Sequence, residues 1–331
     1  MKLGIAINDT WAFFSDVYAL FQKEHQTSLF TPRTFNSPIL NSRINRYFYQ
    51  KDLKAFLNNK DVCFFEWAGE YLAHATTHPI QSGIVTRLHR YELYQWASQI
   101  NWDCVDKVIL VSNAKKKELE GRFPATIGKT IVIPEGVNLN NFEFNPGSFR
   151  KQLGILGHLS PRKRVYELIL TFFEGGFHQM GYTLHIGGGQ HPKFPDYYFA
   201  LKSLVERLGL SGHVIFHDHV NDPKNWFGLI DILISNSYSE GLQVSPMEAI
   251  ASGVFCLSYH WDGAEELLPE QYLFNTSSDL KNKILAYADF SENQKLEDRK
   301  FQRTLVEQKY NIEKVSRDIL QVVNEVGKLV T

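Results

Sequence analysis

Short apolar runs rich in β-branched and aromatic residues alternate with longer stretches of helical spacing from one end of the chain to the other. In the first half "KLGIAI", "VCFFEW", "GIVTRLH", "KVILVS" and "TIVIPEG" have the length and composition of buried strands, and "QLGILG", "YTLHIGGG", "HVIFHDHV", "ILISNS" and "VFCLSY" repeat the pattern in the second. Helical stretches such as "SDVYALFQKEH", "RINRYFYQKDLKAFL" and "NAKKKELEGRF" lie between them. In "DYYFALKSLVERLGL" the residues Phe199, Leu201, Leu204, Val205 and Leu208 mark one apolar face. Such alternation predicts parallel sheets with helices on both faces. With about five strands in each half, it predicts an α/β chain of two Rossmann-like, doubly wound domains facing a central cleft.

Pro146, Gly147 and Ser148 interrupt the pattern, which sets an expected first domain at 1–148 and a second at 149–310. No strand is predicted after residue 278. The last stretch, 311–331, carries Ile312, Val315, Ile319, Val322, Val323 and Val326 as a single apolar stripe. In doubly wound sheets ligands bind outside the carboxyl ends of the strands, so those ends are where chemistry is sought.

Composition narrows this picture only a little. At 331 residues, 44% hydrophobic and 21% charged, the sequence is that of a globular protein of two ordinary domains. A net charge of −1 supplies no field for nucleic acid. Three scattered cysteines form neither a disulfide framework nor a metal motif, and no apolar run approaches the ~18 residues of a membrane span. "MKLGIAINDTW" has no signal-peptide core, so the expected location is cytoplasmic, with the inner face of a membrane as the alternative. The basic, aromatic mix of Arg43, Arg46, Lys51 and Lys54 with Tyr47, Phe48 and Tyr49 suits a membrane surface or an acidic acceptor; a buried amphipathic helix with a solvated basic face is the commoner explanation.

Candidate chemistry gathers in "NSYSEGLQVSPMEAIASG" (236–253). Ser245, Pro246 and Glu248 have the spacing of a helix N-cap with a capping box. Yet Glu240, at the end of a strand, and Glu248 also flank a glycine turn, where the amides of Gly241, Leu242, Gln243 and Val244 can meet phosphate oxygens. A carboxylate can accept from two adjacent hydroxyls, so this pair suits a ligand that carries phosphate and sugar together. "LGILGHLSPRKRVYELI" places Arg162, Lys163 and Arg164 where a helix begins, a position that cations disfavour unless an anion is to be neutralised. "HIGGGQHP" lacks the spacing of a dinucleotide fingerprint and reads as a tight turn. His89 stands at a strand's carboxyl end, with His74 and His78 as reserves. No metal motif, P-loop or D-x-D occurs, so neither a metal nor a resident cofactor is expected.

"IPEGVNLNNF", "GHLSPRKRVYELI", "HIGGG" and "SNSYSEGLQVSPMEAIASGVFCLSYHWDGAEELL", in this order, resemble the retaining glycosyltransferases of family 4, which have the GT-B fold. The resemblance covers the second half; the first matches loosely through "VTRLH" and "VILVS". It implies a metal-independent transferase acting on a UDP-, GDP- or ADP-sugar, with a glycan, lipid-linked or small-molecule hydroxyl as acceptor. Glu248 would hold the donor ribose, Glu240 and His89 would act at the transferred sugar, and Lys163 would meet the diphosphate. The domain at 149–310 would take the donor, that at 1–148 the acceptor, and the final helix would return to the first domain. His158 stands where the family has an arginine, for which Arg162 or Arg164 would compensate, and "NDTWAFF" replaces the family's glycine-rich first loop. These departures leave open a second reading, a nucleotide-sugar- or glycan-binding protein of the same fold without turnover. An NAD-dependent enzyme is the third, and the glycine spacing disfavours it.

Overall fold

The computed structural model describes residues 1–11, 14–34 and 41–330, without the side chains of 41–44, 46 and 330. The side chains of Arg43 and Arg46 and the "AF" of "NDTWAFF" therefore lie outside what is described. The chain forms two compact units: Met1–Gly136 with Ile312–Thr331, and Val137–Asn311.

The first unit is built on β1 (Lys2–Ile7), β2 (Gln26–Leu29), β3 (Val62–Glu66), β4 (Gly83–Leu88), β5 (Lys107–Leu110) and β6 (Thr130–Val132). They lie all parallel in the order β2-β1-β3-β4-β5-β6. The second unit has β7 (Gln152–Leu156), β8 (Thr183–Gly187), β9 (Val214–Phe216), β10 (Ile232–Ser235), β11 (Phe255–Tyr259) and β12 (Leu273–Phe274), parallel in the order β12-β11-β10-β7-β8-β9. Each sheet thus has one strand more than the sequence pattern predicts. The additions are edge strands, the polar "QTSL" of β2 and the two-residue β12, and neither has an apolar run to announce it.

The helix Ile312–Val330 completes the first unit. Its Ile312, Val315, Ile319, Val322, Val323 and Val326 pack with Leu3, Ile5, Phe64, Val85 and Ile109, covering a sheet face that would otherwise meet water. The chain passes from first unit to second at Gly136, earlier than the interruption at Pro146 suggests. Residues 137–148 are bound to the second unit instead. Asn145 N donates to Ser252 O at 3.2 Å, Arg303 Nη1 to Phe142 O at 3.2 Å and Arg299 Nη1 to Gly147 O at 2.6 Å. Phe199, expected on the buried face of its helix, is 63% exposed, while Leu201, Leu204 and Val205 are buried. No described helix is long and apolar enough to cross a membrane.

One side chain substitutes for a strand. The Gln302 carboxamide accepts from Cys256 N and donates to Cys256 O, each at 2.9 Å, because β12 pairs β11 only from Ser258 onwards. Gln302 is fully buried. Gln302→Ala leaves a buried N–H and C=O without partners, a loss of about 1–3 kcal/mol in urea unfolding.

Candidate functional site

In the second unit β10 runs into the loop 236–243 and then the helix Val244–Ala251. Gln243 fixes this loop. Its Nε2 donates to Ser237 Oγ at 3.0 Å and Glu240 Oε1 at 2.6 Å, and its Oε1 accepts from the Ser235 hydroxyl. Gln243 is accordingly the N-cap residue, without a side-chain cap of its own, and the helix begins before Ser245. The Ser245–Glu248 capping box expected from the sequence is not formed; the Ser245 hydroxyl donates to Leu156 O at 3.4 Å. With the cap removed as an explanation, Glu248 needs another. Burial pushes its carboxyl up to about 7, and among the described residues no hydrogen bond or ion pair reaches it.

Glu240 has the opposite environment. Its Oε1 accepts from Lys163 Nζ at 2.9 Å and from Gln243, and pairs with Arg162. Burial alone would raise this carboxyl, but the Lys163 and Arg162 cations outweigh it and hold the group down at about 2. The two cations sit in a single 3₁₀ turn, Pro161–Lys163, after β7. They precede the helix Val165–Glu174 and are not in its first turn, because Arg164 adopts φ +52° as its N-cap. The Arg164 guanidinium lies over the Tyr259 ring, 4.3 Å from its centre, and its carbonyl accepts from Asn236 Nδ2 at 2.8 Å. Arg162 Nη1 donates to Ser239 O at 3.0 Å, so the basic turn is sewn to the Glu240 loop.

Glycine is required beneath the lysine. A Cβ on Gly157 (φ +150°) would lie 3.1 Å from Lys163 Cε, and one on Gly188 (φ +139°) would lie 2.0 Å from Gly157 O. The "HIGGG" turn therefore closes against Gly157, the residue just beyond β7. His158 is exposed, its ring 6.0 Å from that of His191, and is not among the described residues that meet Glu240. A shallow pocket at the ends of β7 and β10 is lined by Leu156, Lys163, Ser235, Ser237, Gln243 and Ser245. Lys163, Arg162, Glu240 and Gln243 are thus brought into one cluster, beside the backbone of Gly241, Leu242 and Val244.

A second polar cluster in this unit was not foreseen. Gln152 Nε2 donates to Arg150 O at 3.0 Å, so its Oε1 accepts from His185 Nε2 at 2.8 Å. His185 Nδ1 must then accept from His217 Nε2, also at 2.8 Å. Burial, then the nearby His217, pushes His185 down to about 4. An unfolded chain takes up a proton near pH 6.5 that the folded one refuses until about 4, so this residue costs stability as pH falls through that window. His185→Gln should flatten the difference between urea midpoints at pH 7 and pH 5; an equal pH dependence in both proteins would contradict it.

In the first unit the carboxyl ends of β3, β4 and β6 converge on His89. Its Nε2 lies 2.9 Å from Glu66 Oε1 and its Nδ1 2.5 Å from Glu135 Oε1. Arg87, fully buried on β4, pairs with Glu135 and lies 3.7 Å from Glu66. Glu92 Oε1 accepts from His89 N at 3.2 Å, and burial raises the Glu92 carboxyl. Burial alone would depress the imidazole, but Glu135 and Glu66 overcome it and lift His89 to about 10. The Trp67 ring covers the imidazole at 4.0 Å. Of the reserves, His74 Nδ1 meets the Tyr49 hydroxyl at 3.1 Å. Glu66, Arg87 and Glu135 escaped sequence reasoning; the only signal was that all stand at or near strand ends, as His89 does.

Residues 150–289 match the family described as Glycosyl transferases group 1. A curated relative, Protein CapJ of Staphylococcus aureus, is 25% identical over 197 residues, 56% of this chain and 48% of that protein, so the match spans about half of its length. Among solved structures, HepE of Anabaena in complex with UDP and glucose has a TM-score of 0.77 at 17% identity, covering 97% of this chain and 99% of that one. Sucrose-phosphate synthase of Thermosynechococcus elongatus has a TM-score of 0.75 at 15% identity, covering 98% and 99%. These likenesses show the GT-B fold, with two Rossmann-like units in one chain.

Proposed function

We propose that this protein is a retaining, metal-independent glycosyltransferase of family 4 type that moves a sugar from a nucleotide-diphosphate donor to a hydroxyl of a glycan, lipid-linked or small-molecule acceptor. One observation carries the reading: Lys163 and Arg162 converge on Glu240 in the loop that follows β10, inside the segment that matches the glycosyltransferase family. Two cations and the adjoining helix start are what a leaving diphosphate needs when no metal neutralises it. Glu248, a largely buried carboxyl with no partner among the described residues, is suited to accept from the two ribose hydroxyls. The second unit takes the donor and the first the acceptor; no resident cofactor takes part. The UDP complexes of HepE make a uracil nucleotide the first donor to test.

A second reading has its own support. Glu240 already satisfies Lys163 and Arg162, and His158 supplies no permanent charge where the family has arginine. A chain of this kind could bind a nucleotide sugar without turning it over.

Incubation with UDP-, GDP- and ADP-sugars in the presence of chelator separates the two. The transferase reading expects a thermal shift with at least one donor, together with slow donor hydrolysis or transfer. A shift without turnover, acceptors included, supports the binding protein. No shift with any nucleotide sugar removes both.

A further inference from the structure

The imidazole of His89 is enclosed on three sides. Glu66 faces Nε2 at 2.9 Å, Glu135 faces Nδ1 at 2.5 Å, and the Trp67 indole lies against the ring face at 4.0 Å. An ionised carboxylate only accepts hydrogen bonds, so two such contacts at this distance require a hydrogen on each nitrogen at once. A neutral imidazole carries only one. The indole face adds the environment in which a cation is favoured. Trp67 reaches it with φ +73°, an uncommon backbone state for a bulky residue and one that persists only where its surroundings enforce it. Arg87 completes the balance: buried within the same cluster, it pairs with Glu135 and approaches Glu66.

We propose that Glu66 and Glu135 are positioning residues that hold His89 as an imidazolium throughout the neutral range, so that it serves the transfer as a fixed cation and never as the proton acceptor. The consequence for turnover rests on the glycosyltransferase reading above; the protonation state of His89 does not. The groups facing the ring are Glu66 from β3, Arg87 from β4, Glu92 from the helix Tyr91–Gln95 and Glu135 from the segment after β6. Arg87 is the one among them that disfavours the charge, and the two carboxylates in direct contact outweigh it. With its proton already in place, His89 cannot deprotonate the acceptor hydroxyl, which leaves that task to the departing phosphate.

The test has two arms. In the first, the full-length protein with ¹⁵N-histidine is followed by NMR, with His89→Gln assigning the signals. Both His89 nitrogens should be protonated from pH 6 to 8.5. Glu135→Gln should return the ring to titration near 6.5, and Glu135→Asp, which restores the charge, should bring back the doubly protonated form. A neutral His89 ring in the unaltered protein at pH 7.5 overturns the proposal. In the second arm, kcat is measured against pH with the best donor. The unaltered protein should show no limb from His89, whereas Glu135→Gln should lose about tenfold in kcat per pH unit above its new titration point, with little change in KM for donor. A flat Glu135→Gln profile, with the NMR change present, overturns the positioning role and leaves a structural one. Absence of both donor hydrolysis and transfer by the unaltered protein with every donor would refute the glycosyltransferase reading, and with it the role in turnover, while the NMR arm still decides the protonation claim. Thermal unfolding of each variant confirms that the fold survives.

Discussion

Arg87→Met is expected to lower stability by about 3–5 kcal/mol at neutral pH, the loss typical when one partner of a buried ion pair is removed. Arg87 is fully buried and closes the charge balance of Glu66, Glu135 and His89. Methionine fills much of the volume, so the cost comes from charge and little from a cavity. The pH dependence tells the two apart. In the unaltered protein burial would raise the Glu135 carboxyl, but Arg87 and His89 hold it below its ordinary value. It therefore contributes stability above about pH 4.3 and loses that contribution as pH falls. Without Arg87 the same carboxylate is undercompensated and folding favours its protonation. The gap between the two proteins, read from urea midpoints, should be widest near pH 7 and should narrow towards pH 4. A gap of constant size would assign the loss to packing and remove the electrostatic account.

Why this cluster went unread in the sequence is instructive. His89 could be placed because a strand end in a doubly wound sheet is a known address. Its partners come from β3 and from beyond β6, and nothing in "FFEW" or "IPEG" says which carboxylates will meet one ring. The second unit was more legible because Glu240 and its cations lie on two segments whose local form, strand then turn then helix, is encoded in apolar runs and glycines. Even there the local rule for Glu248 failed. The S-x-x-E spacing of a capping box is present, but Gln243 is held by Ser235, Ser237 and Glu240, and these bonds within the loop start the helix earlier than the spacing implies. Phe199 shows the same limit in reverse: helical spacing admits it to the apolar stripe, and only packing reveals it exposed. Periodicity records which face is apolar; it does not record what the neighbouring elements leave uncovered.

Lys163→Ala should weaken donor binding by about 10- to 100-fold, the worth of one charge-assisted hydrogen bond to phosphate, with little change in unfolding. The fold is spared because Glu240 keeps Arg162 and Gln243 as partners when the lysine is gone. The size of the loss depends on what the lysine gives up. Before a donor arrives, Lys163 and Arg162 share the single carboxylate of Glu240, so a diphosphate must compete with it for the same two cations. Glu240→Gln removes that competitor. It should bind a nucleoside diphosphate at least as tightly as the unaltered protein does, while its affinity for the intact nucleotide sugar should fall relative to the diphosphate if, as proposed, Glu240 meets the transferred sugar. Calorimetry with UDP and a UDP-sugar on the two variants reads both effects. Glu248→Gln completes the set. Burial holds this carboxyl at about 7, and a ribose that donates two hydrogen bonds favours the ionised form, so UDP binding should tighten as pH rises through 7. The glutamine variant should lose that extra pH dependence and bind more weakly at pH 8. If Lys163→Ala leaves the donor dissociation constant unchanged, the basic turn is not a phosphate site, and the donor assignment fails with it.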